Sequence, residues 1–319
     1  MRILVLIHEF PPLGGGGGQA AQDIGEGLSE RGHEVKVLTA HMRGLPRSTH
    51  RRGVDVIRVP SLRREAYRAG FLTMAAYIAA GLWEGYRLIR RWRPDVLHAH
   101  FAVPAGALAW MLSKLSGVPY VLTAHLGDVP GGVPEKTDRW FKWILPFTFP
   151  IWRDAKKVTA VSEYTRQLAL QHYRREIMVI PNGIDLERLR AKEIRLHTPR
   201  RIVFAGRFMP QKNPRQVVEV LARIKDLPWE CVMLGDGPLM PQVREAIARH
   251  GLEGRFILPG WVTPEEVLQW FDRSDILFMP SLSEGLPVVG VQALAKGLAI
   301  VASRVGGFVD LVRDGENGF

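Results

Sequence analysis

Arg207 and Lys212 stand five positions apart in the turn that follows the apolar run Ile202 to Ala205. A planar guanidinium and a compact ammonium delivered by one turn can hold a diphosphate, the first through paired donors and the second as a point charge. Two solvated surface cations would leave the same trace in the sequence. Glu284 follows another apolar run, within Ser283-Glu284-Gly285-Leu286-Pro287, and opens a helical pattern that continues to about Lys296 and stops at Gly297. An acid in that place either complements the positive end of the helix or grips a sugar hydroxyl. Gln292 lies eight positions further on, roughly 12 Å along a helix axis, a span that reaches from a sugar to a ribose.

In the amino-terminal half the candidates are glycines and a histidine. Pro11-Pro12-Leu13 and five consecutive glycines, Gly14 to Gly18, separate a short apolar run from a helical pattern over about Ala20 to Arg31, ended by Gly32. Such glycines let backbone N–H groups approach an anion at a helix N-terminus. Their spacing is neither the dinucleotide fingerprint nor a P-loop. His125 and Asp128 come just after the apolar run Tyr120 to Thr123. A histidine at a strand end is either a packed structural residue or, at the carboxyl end of a parallel sheet, a group facing a ligand crevice. The single cysteine, Cys231, sits inside an apolar run, which excludes an intramolecular disulfide and a cysteine-based metal site. No metal-ligand cluster is recognisable, and no metal is expected.

These residues need elements to position them, and the pattern supplies parallel sheets. Short apolar runs alternate with helical patterns throughout, the signature of βαβ units. The spacing predicts strands over Ile3 to Ile7, Val35 to Leu38, Val54 to Val59, Val96 to His98, Tyr120 to Thr123, Lys157 to Val161 and Met178 to Ile180. After a charged stretch the series restarts at Ile202 to Ala205, Cys231 to Leu234, Phe256 to Leu258, Ile276 to Met279 and Ala299 to Ala302. This predicts an α/β protein with two tandem Rossmann-like, doubly wound domains over residues 1–185 and 201–319, joined by a linker over 186–200, with ligand bound at the carboxyl ends of the strands. The sequence stops directly after a turn signal, Asp314 to Phe319, so the second domain is expected to be truncated and incomplete.

The ordered series Gly15-Gly16-Gly17, Arg31 to Val35, His125-Leu126-Gly127-Asp128, Val161-Ser162-Glu163, Pro181 to Asp185, Gly206-Arg207 with Lys212-Asn213, Leu234 to Pro238, Gly260-Trp261-Val262 and Ser283 to Pro287 resembles the glycosyltransferase family 4 proteins of the GT-B fold. The resemblance covers nearly the whole chain. It implies retaining, metal-independent transfer of a sugar from a nucleotide diphosphate sugar, which is a co-substrate; no cofactor is implied. The first domain is then the acceptor side and the second the nucleotide-sugar side. Arg207 and Lys212 are implied to neutralise the diphosphate, Glu284 to contact the donor sugar, and Gly285, Leu286 and Pro287 to approach sugar and phosphate through their backbone. Gly15, Gly16 and Gly17 are implied at the phosphate, His125 near the reacting sugar, and Gly260, Trp261 and Val262 beside the base; Asp128, Gly206 and Gly235 complete the expected donor set. The family's second glutamate, with seven residues between it and the first, is here Gln292. Losing that charge-assisted bond to the ribose costs about 1 kcal/mol.

Charge bears on the partners. Forty-three Lys and Arg against 32 Asp and Glu give a net charge of +11, which draws the protein to anions. No nucleic-acid motif accompanies the charge, and no nucleic acid is expected as partner. Arg47, Arg51, Arg52, Arg63, Arg64 and Arg68 precede a segment in which Arg87, Arg90, Arg91 and Arg93 alternate with Tyr67, Phe71, Tyr77, Trp83, Tyr86 and Trp92. This reads either as a helix lying on an anionic membrane or as an ordinary amphipathic helix with a solvated basic face. Trp140, Phe141, Trp143, Phe147, Phe149 and Trp152 either face a greasy acceptor or pack on the sheet. A cytoplasmic protein, in peripheral contact with the inner membrane face and using a glycan or lipid-linked envelope acceptor, is expected. The alternative is an impaired or non-enzymatic binding protein, suggested by Gln292 and the abrupt end.

Overall fold

The computed structural model describes residues 1–65, 69–133, 141–191 and 193–319, the side chains of 141 and 142 excepted. The expectations placed on Tyr67, Arg68, Trp140 and the Phe141 side chain lie outside the described residues. The chain divides into two units, Met1–Asn182 and Gly183–Phe319, each built around one sheet.

The first unit holds β1 (Arg2–Leu6), β2 (Glu34–Met42), β3 (Ser48–Arg51), β4 (Val54–Arg63), β5 (Val96–His100), β6 (Tyr120–Ala124), β7 (Lys157–Ala160) and β8 (Met178–Val179). They run in the order β3-β4-β2-β1-β5-β6-β7-β8. Successive residues of β1 point to opposite faces: Leu4 and Leu6 join Leu38, Leu97 and Tyr120 in one core, while Ile3 and Val5 join Val35 and Val37 in another. Both faces are covered, so the run is continuously apolar rather than alternating. The short β3 was not expected. It pairs antiparallel with β4 at the sheet edge, where Ser48, Thr49, His50 and Arg51 need no apolar pattern.

The basic, aromatic segment forms the helix Phe71–Trp92, which buries Tyr77, Gly81, Gly85 and Ile89. Spacing of four places these on one stripe. A Cβ on Gly81 would lie 2.6 Å from Leu108 Cδ2, and one on Gly85 2.7 Å from Leu112 Cδ1. The two glycines therefore admit the helix Ala107–Ser116 at close range, and each leucine so buried contributes about 2 kcal/mol. Trp83, Tyr86, Arg87 and Arg90 remain outside. Arg63 does not belong to a solvated face: it is buried and pairs with Glu9 at 3.4 Å. The later aromatic stretch divides between its two readings. In the helix Phe141–Asp154, Trp152 is buried and stacks on Tyr173, whereas Trp143 and Phe147 are exposed.

The second unit holds β9 (Arg200–Ala205), β10 (Trp229–Leu234), β11 (Phe256–Gly260), β12 (Ile276–Met279) and β13 (Ala299–Ala302), all parallel, in the order β11-β10-β9-β12-β13. Both sheets are thus the doubly wound α/β type that the alternating pattern implied. Cys231 is a buried core residue. The segment expected as a linker belongs to this unit: it forms the helix Leu186–Leu189 with Leu189 buried, and the Ala191 N–H donates to the Ala295 carbonyl. Residues 317–319 pair by backbone hydrogen bonds with Ile300 and Ala302.

Two helix starts differ from expectation. The first helix begins at Gly16, not near Ala20, so the glycines are its first turn. The helix after Glu284 begins at Val288, because Pro287 holds the extended backbone of a cap. Residues 284–287 are not helical, so the 12 Å axial spacing of Glu284 and Gln292 does not apply.

Candidate active site

In the second sheet the winding direction reverses between β9 and β12, and loops leaving two such neighbours diverge to open a crevice at their carboxyl ends. Gly206, Arg207 and the turn Pro210–Lys212 leave β9; Pro280 to Pro287 leave β12. Lys212 Nζ lies 2.6 and 2.8 Å from the two carboxylate oxygens of Glu284. The side chains are 17% and 5% exposed, so each ion offsets part of the other's desolvation cost. The two loops are also joined by Gln211, whose Nε2 donates to the Ser283 carbonyl and whose own carbonyl accepts from the Leu282 N–H. Arg207 is half-buried one residue beyond Gly206.

Glycines bring the neighbouring strand ends together. The Gly206 N–H donates to the Leu234 carbonyl and the Gly235 N–H to the Gly260 carbonyl, both at 2.9 Å. A Cβ on Gly235, which has φ +131°, would stand 2.1 Å from the Gly206 oxygen, closer than any side chain tolerates. Trp261, just past Gly260, exposes its ring, while Val262 packs half-buried on the core. Leu286 and Pro287 are buried, and Gln292 is buried in the helix Val288–Ala295.

Sequence reasoning missed the support beneath Glu284. The Gly307 N–H donates to the Glu284 carbonyl at 3.0 Å. Cβ atoms on Gly306 and Gly307 would lie 1.9 Å from the Glu284 oxygen and 1.8 Å from the Gly285 oxygen. The paired glycines after the last apolar run were the available signal.

The first sheet reverses between β1 and β5. Gly15 caps the helix Gly16–Glu30, which follows β1. A Cβ on Gly17 would meet Phe101 Cζ at 2.5 Å and His125 Nδ1 at 3.6 Å, so the glycine turn and the histidine come together. Asp128 fixes the backbone beside them: its carboxylate accepts from the His125 N–H at 2.9 Å and the Ala102 N–H at 2.6 Å. Burial raises its pKa to about 6, and these bonds oppose the rise.

His125 is not alone. Its Nε2 is 2.9 Å from His100 Nδ1. The His100 ring packs 4.3 Å from that of His98, and His98 Nε2 meets Thr123 Oγ1 at 2.8 Å. His98 and His100 stand two apart on β5, a spacing that puts both on one face of a strand and was the signal passed over. Burial lowers His98 to about 4 and His125 to about 3, and holds His100 well below the usual histidine range. These rings are neutral at pH 7 and offer hydrogen bonds rather than charge.

A model described as Glycosyltransferase Family 4 matches residues 14–188, and one described as Glycosyl transferases group 1 matches residues 185–319. The chain belongs to glycosyltransferase family 4. As a glycosyltransferase, it is similar to a 2-deoxystreptamine glucosyltransferase of Streptomyces kanamyceticus, 29% identical over 89% of this chain and 80% of that protein. It is also similar to the putative teichuronic acid biosynthesis glycosyltransferase TuaC of Bacillus subtilis, 32% identical over 68% of this chain and 55% of that one. The fold is GT-B: sucrose-phosphate synthase of Thermosynechococcus elongatus superposes with TM-score 0.85 at 20% identity, over 100% of this chain and 84% of that chain. HepE of Anabaena, in complex with UDP-glucose, gives TM-score 0.76 at 20% identity over 100% and 85%.

Proposed function

We propose that this glycosyltransferase takes its sugar from a nucleotide diphosphate sugar held at the switch point of the second sheet. The ion pair of half-buried Lys212 with buried Glu284 is the observation that carries the reading. Two ions on loops from β9 and β12 stand where a diphosphate and its sugar would lie, and both can exchange one partner for a ligand. Lys212 and Arg207 then take the diphosphate charge that grows as the glycosidic bond breaks, which is stabilisation of the transition state by fixed charge and needs no metal. Glu284 accepts from a sugar hydroxyl, the Gly206, Gly235 and Gly260 strand ends form the floor for the nucleotide, and Trp261 flanks the base. HepE, solved with UDP-glucose, is the neighbour that supports this donor class.

Transfer proceeds with retention. The bond from the anomeric carbon to the diphosphate oxygen breaks as the acceptor oxygen bonds on the same face, and the acceptor proton passes to the departing phosphate. The family resemblance assigns Gly15 to Gly17 and His125, which the first unit brings together, to the same reaction.

The acceptor is a lipid-linked or cell-envelope glycan. An apolar cavity of about 210 Å³ in the first unit is lined by Phe71, Met74, Ile78, Val103, Ile144 and Phe147, which suits a hydrocarbon chain. Along the helix Phe71–Trp92, outward Trp83, Tyr86, Arg87 and Arg90 lie at the spacing of one face and suit the anionic surface in which such a lipid sits. No described helix is long and apolar enough to cross a membrane. TuaC, named for teichuronic acid biosynthesis, supports the envelope class.

Titration calorimetry with a panel of nucleotide diphosphate sugars tests the donor. At least one binds, and Glu284→Gln weakens it; a chain that binds none of them has another function. Transfer to a lipid-linked acceptor that Phe147→Asp abolishes, with transfer to a short water-soluble acceptor retained, tests the acceptor.

A further inference from the structure

We infer that His100 is a positioning residue that fixes which nitrogen of His125 carries the proton, so that His125 presents an Nδ1–H donor to the glycine turn at the start of the helix Gly16–Glu30. The inference rests on the proposed donor reading only for what that N–H meets.

His100 Nδ1 and His125 Nε2 are 2.9 Å apart, so one donates and the other accepts. If His125 donated through Nε2, neutral His100 would carry its own proton on Nε2. That atom is buried and has no hydrogen-bond partner among the described residues, so a proton there would be an orphaned donor. If His100 donates through Nδ1, its Nε2 is a bare lone pair and the proton of His125 must sit on Nδ1. Buried N–H groups without acceptors are rarer than unfilled acceptors, which selects the second arrangement. The partner of one ring nitrogen sets the proton of the other. His98 does not compete, because its Nε2 is bonded to Thr123 Oγ1.

The ring of His125 is held in place. Phe101 packs against it at 4.6 Å between centroids, and a Cβ on Gly17 would be 3.6 Å from Nδ1, so Nδ1 faces the turn. The first-turn N–H groups of a helix attract an oxygen ligand there. A lone pair on Nδ1 would repel the oxygen that those amides attract, whereas an N–H adds a donor beside them, fit for a phosphate or sugar oxygen.

The ring nitrogens can be read directly by NMR on the whole chain labelled with ¹⁵N in histidine only, at neutral pH. His125 is assigned from the signals lost in His125→Gln. Its Nδ1 should be protonated and its Nε2 bare. In His100→Leu the proton should move to Nε2, the form preferred by the free histidine side chain; in His100→Asn, whose amide N–H reaches the place of Nδ1, it should return. A wild-type His125 protonated on Nε2, or one unchanged in His100→Leu, overturns the inference, and the wild-type spectrum alone decides if the leucine variant does not fold. Affinity for a nucleotide diphosphate sugar should fall about tenfold in His100→Leu and recover in His100→Asn. The expected proton positions with unaltered affinity would overturn the link to the ligand. No affinity in the wild type would defeat the donor reading while leaving the proton assignment standing.

Discussion

At the switch point of the first sheet three histidines lie packed without charge, whereas at that of the second a lysine and a glutamate share two short bonds. Sheet topology creates both crevices in the same way, and desolvation decides how each is furnished. An imidazole enters a dry site by shedding a proton, at modest cost near pH 7. An ammonium or carboxylate enters only with its partner. The first crevice can therefore offer hydrogen bonds to a ligand in any order, while the second must break or share an ion pair, which ties binding to a charged ligand.

The largest effect should come from removing one ion. Lys212→Met lowers turnover by about 100- to 1,000-fold and, by stranding buried Glu284, costs about 3 kcal/mol of stability in urea unfolding. Adding Glu284→Gln should restore most of the stability and none of the turnover; full additivity of the two stability losses would contradict the pairing. Next is the support for the acid. Gly307→Ala forces a Cβ onto the Gly285 oxygen and should cost about 2 kcal/mol and weaken donor affinity, whereas Gly254→Ala, where a Cβ meets nothing within 4 Å, should change neither.

Acid separates the two crevices. The folded histidines, at about 4 and about 3 for His98 and His125 and well below the usual range for His100, bind fewer protons than the unfolded chain. Their contribution is present above about pH 6.5 and is lost as pH falls toward 4. Asp128, raised to about 6, opposes them, since its protonation relieves a buried charge as pH falls from 6 to about 4. Three groups against one leave a net loss, so hydrogen exchange at pH 5 should quicken in β5 and β6 relative to pH 7.5, after correction for intrinsic rates, and change little in β9 and β12. Equal responses would erase the contrast. The smallest effect is Gln292→Glu, which should tighten the donor by about 5- to 10-fold in calorimetry.

The strands were legible because both faces of each sheet are covered, leaving continuous apolar runs such as Ile276 to Met279; β3 was not, because an edge needs no such run. Arg207, Lys212 and Glu284 could be singled out by type and by their place after strands. That Lys212 and Glu284 bond across 72 residues depends on β9 lying beside β12, and strand order is not written in any local pattern. The same holds for His100 beside His125, whose strands pair through Ala99 and Leu122. Gly306 and Gly307 left only the trace of a glycine pair, for another reason: what they do is leave room, and vacant space has no letter of its own.

That vacancy makes the aim of Glu284 a property of the main chain. The peptide at 306–307 grips the loop from below through one N–H and two missing β-carbons, and its own position follows from β13. Under the proposed donor reading, side chains around the carboxylate can be exchanged to suit different sugars while the acid keeps its aim. The same arrangement would let specificity drift in the loops without the backbone beneath Glu284 being rebuilt each time.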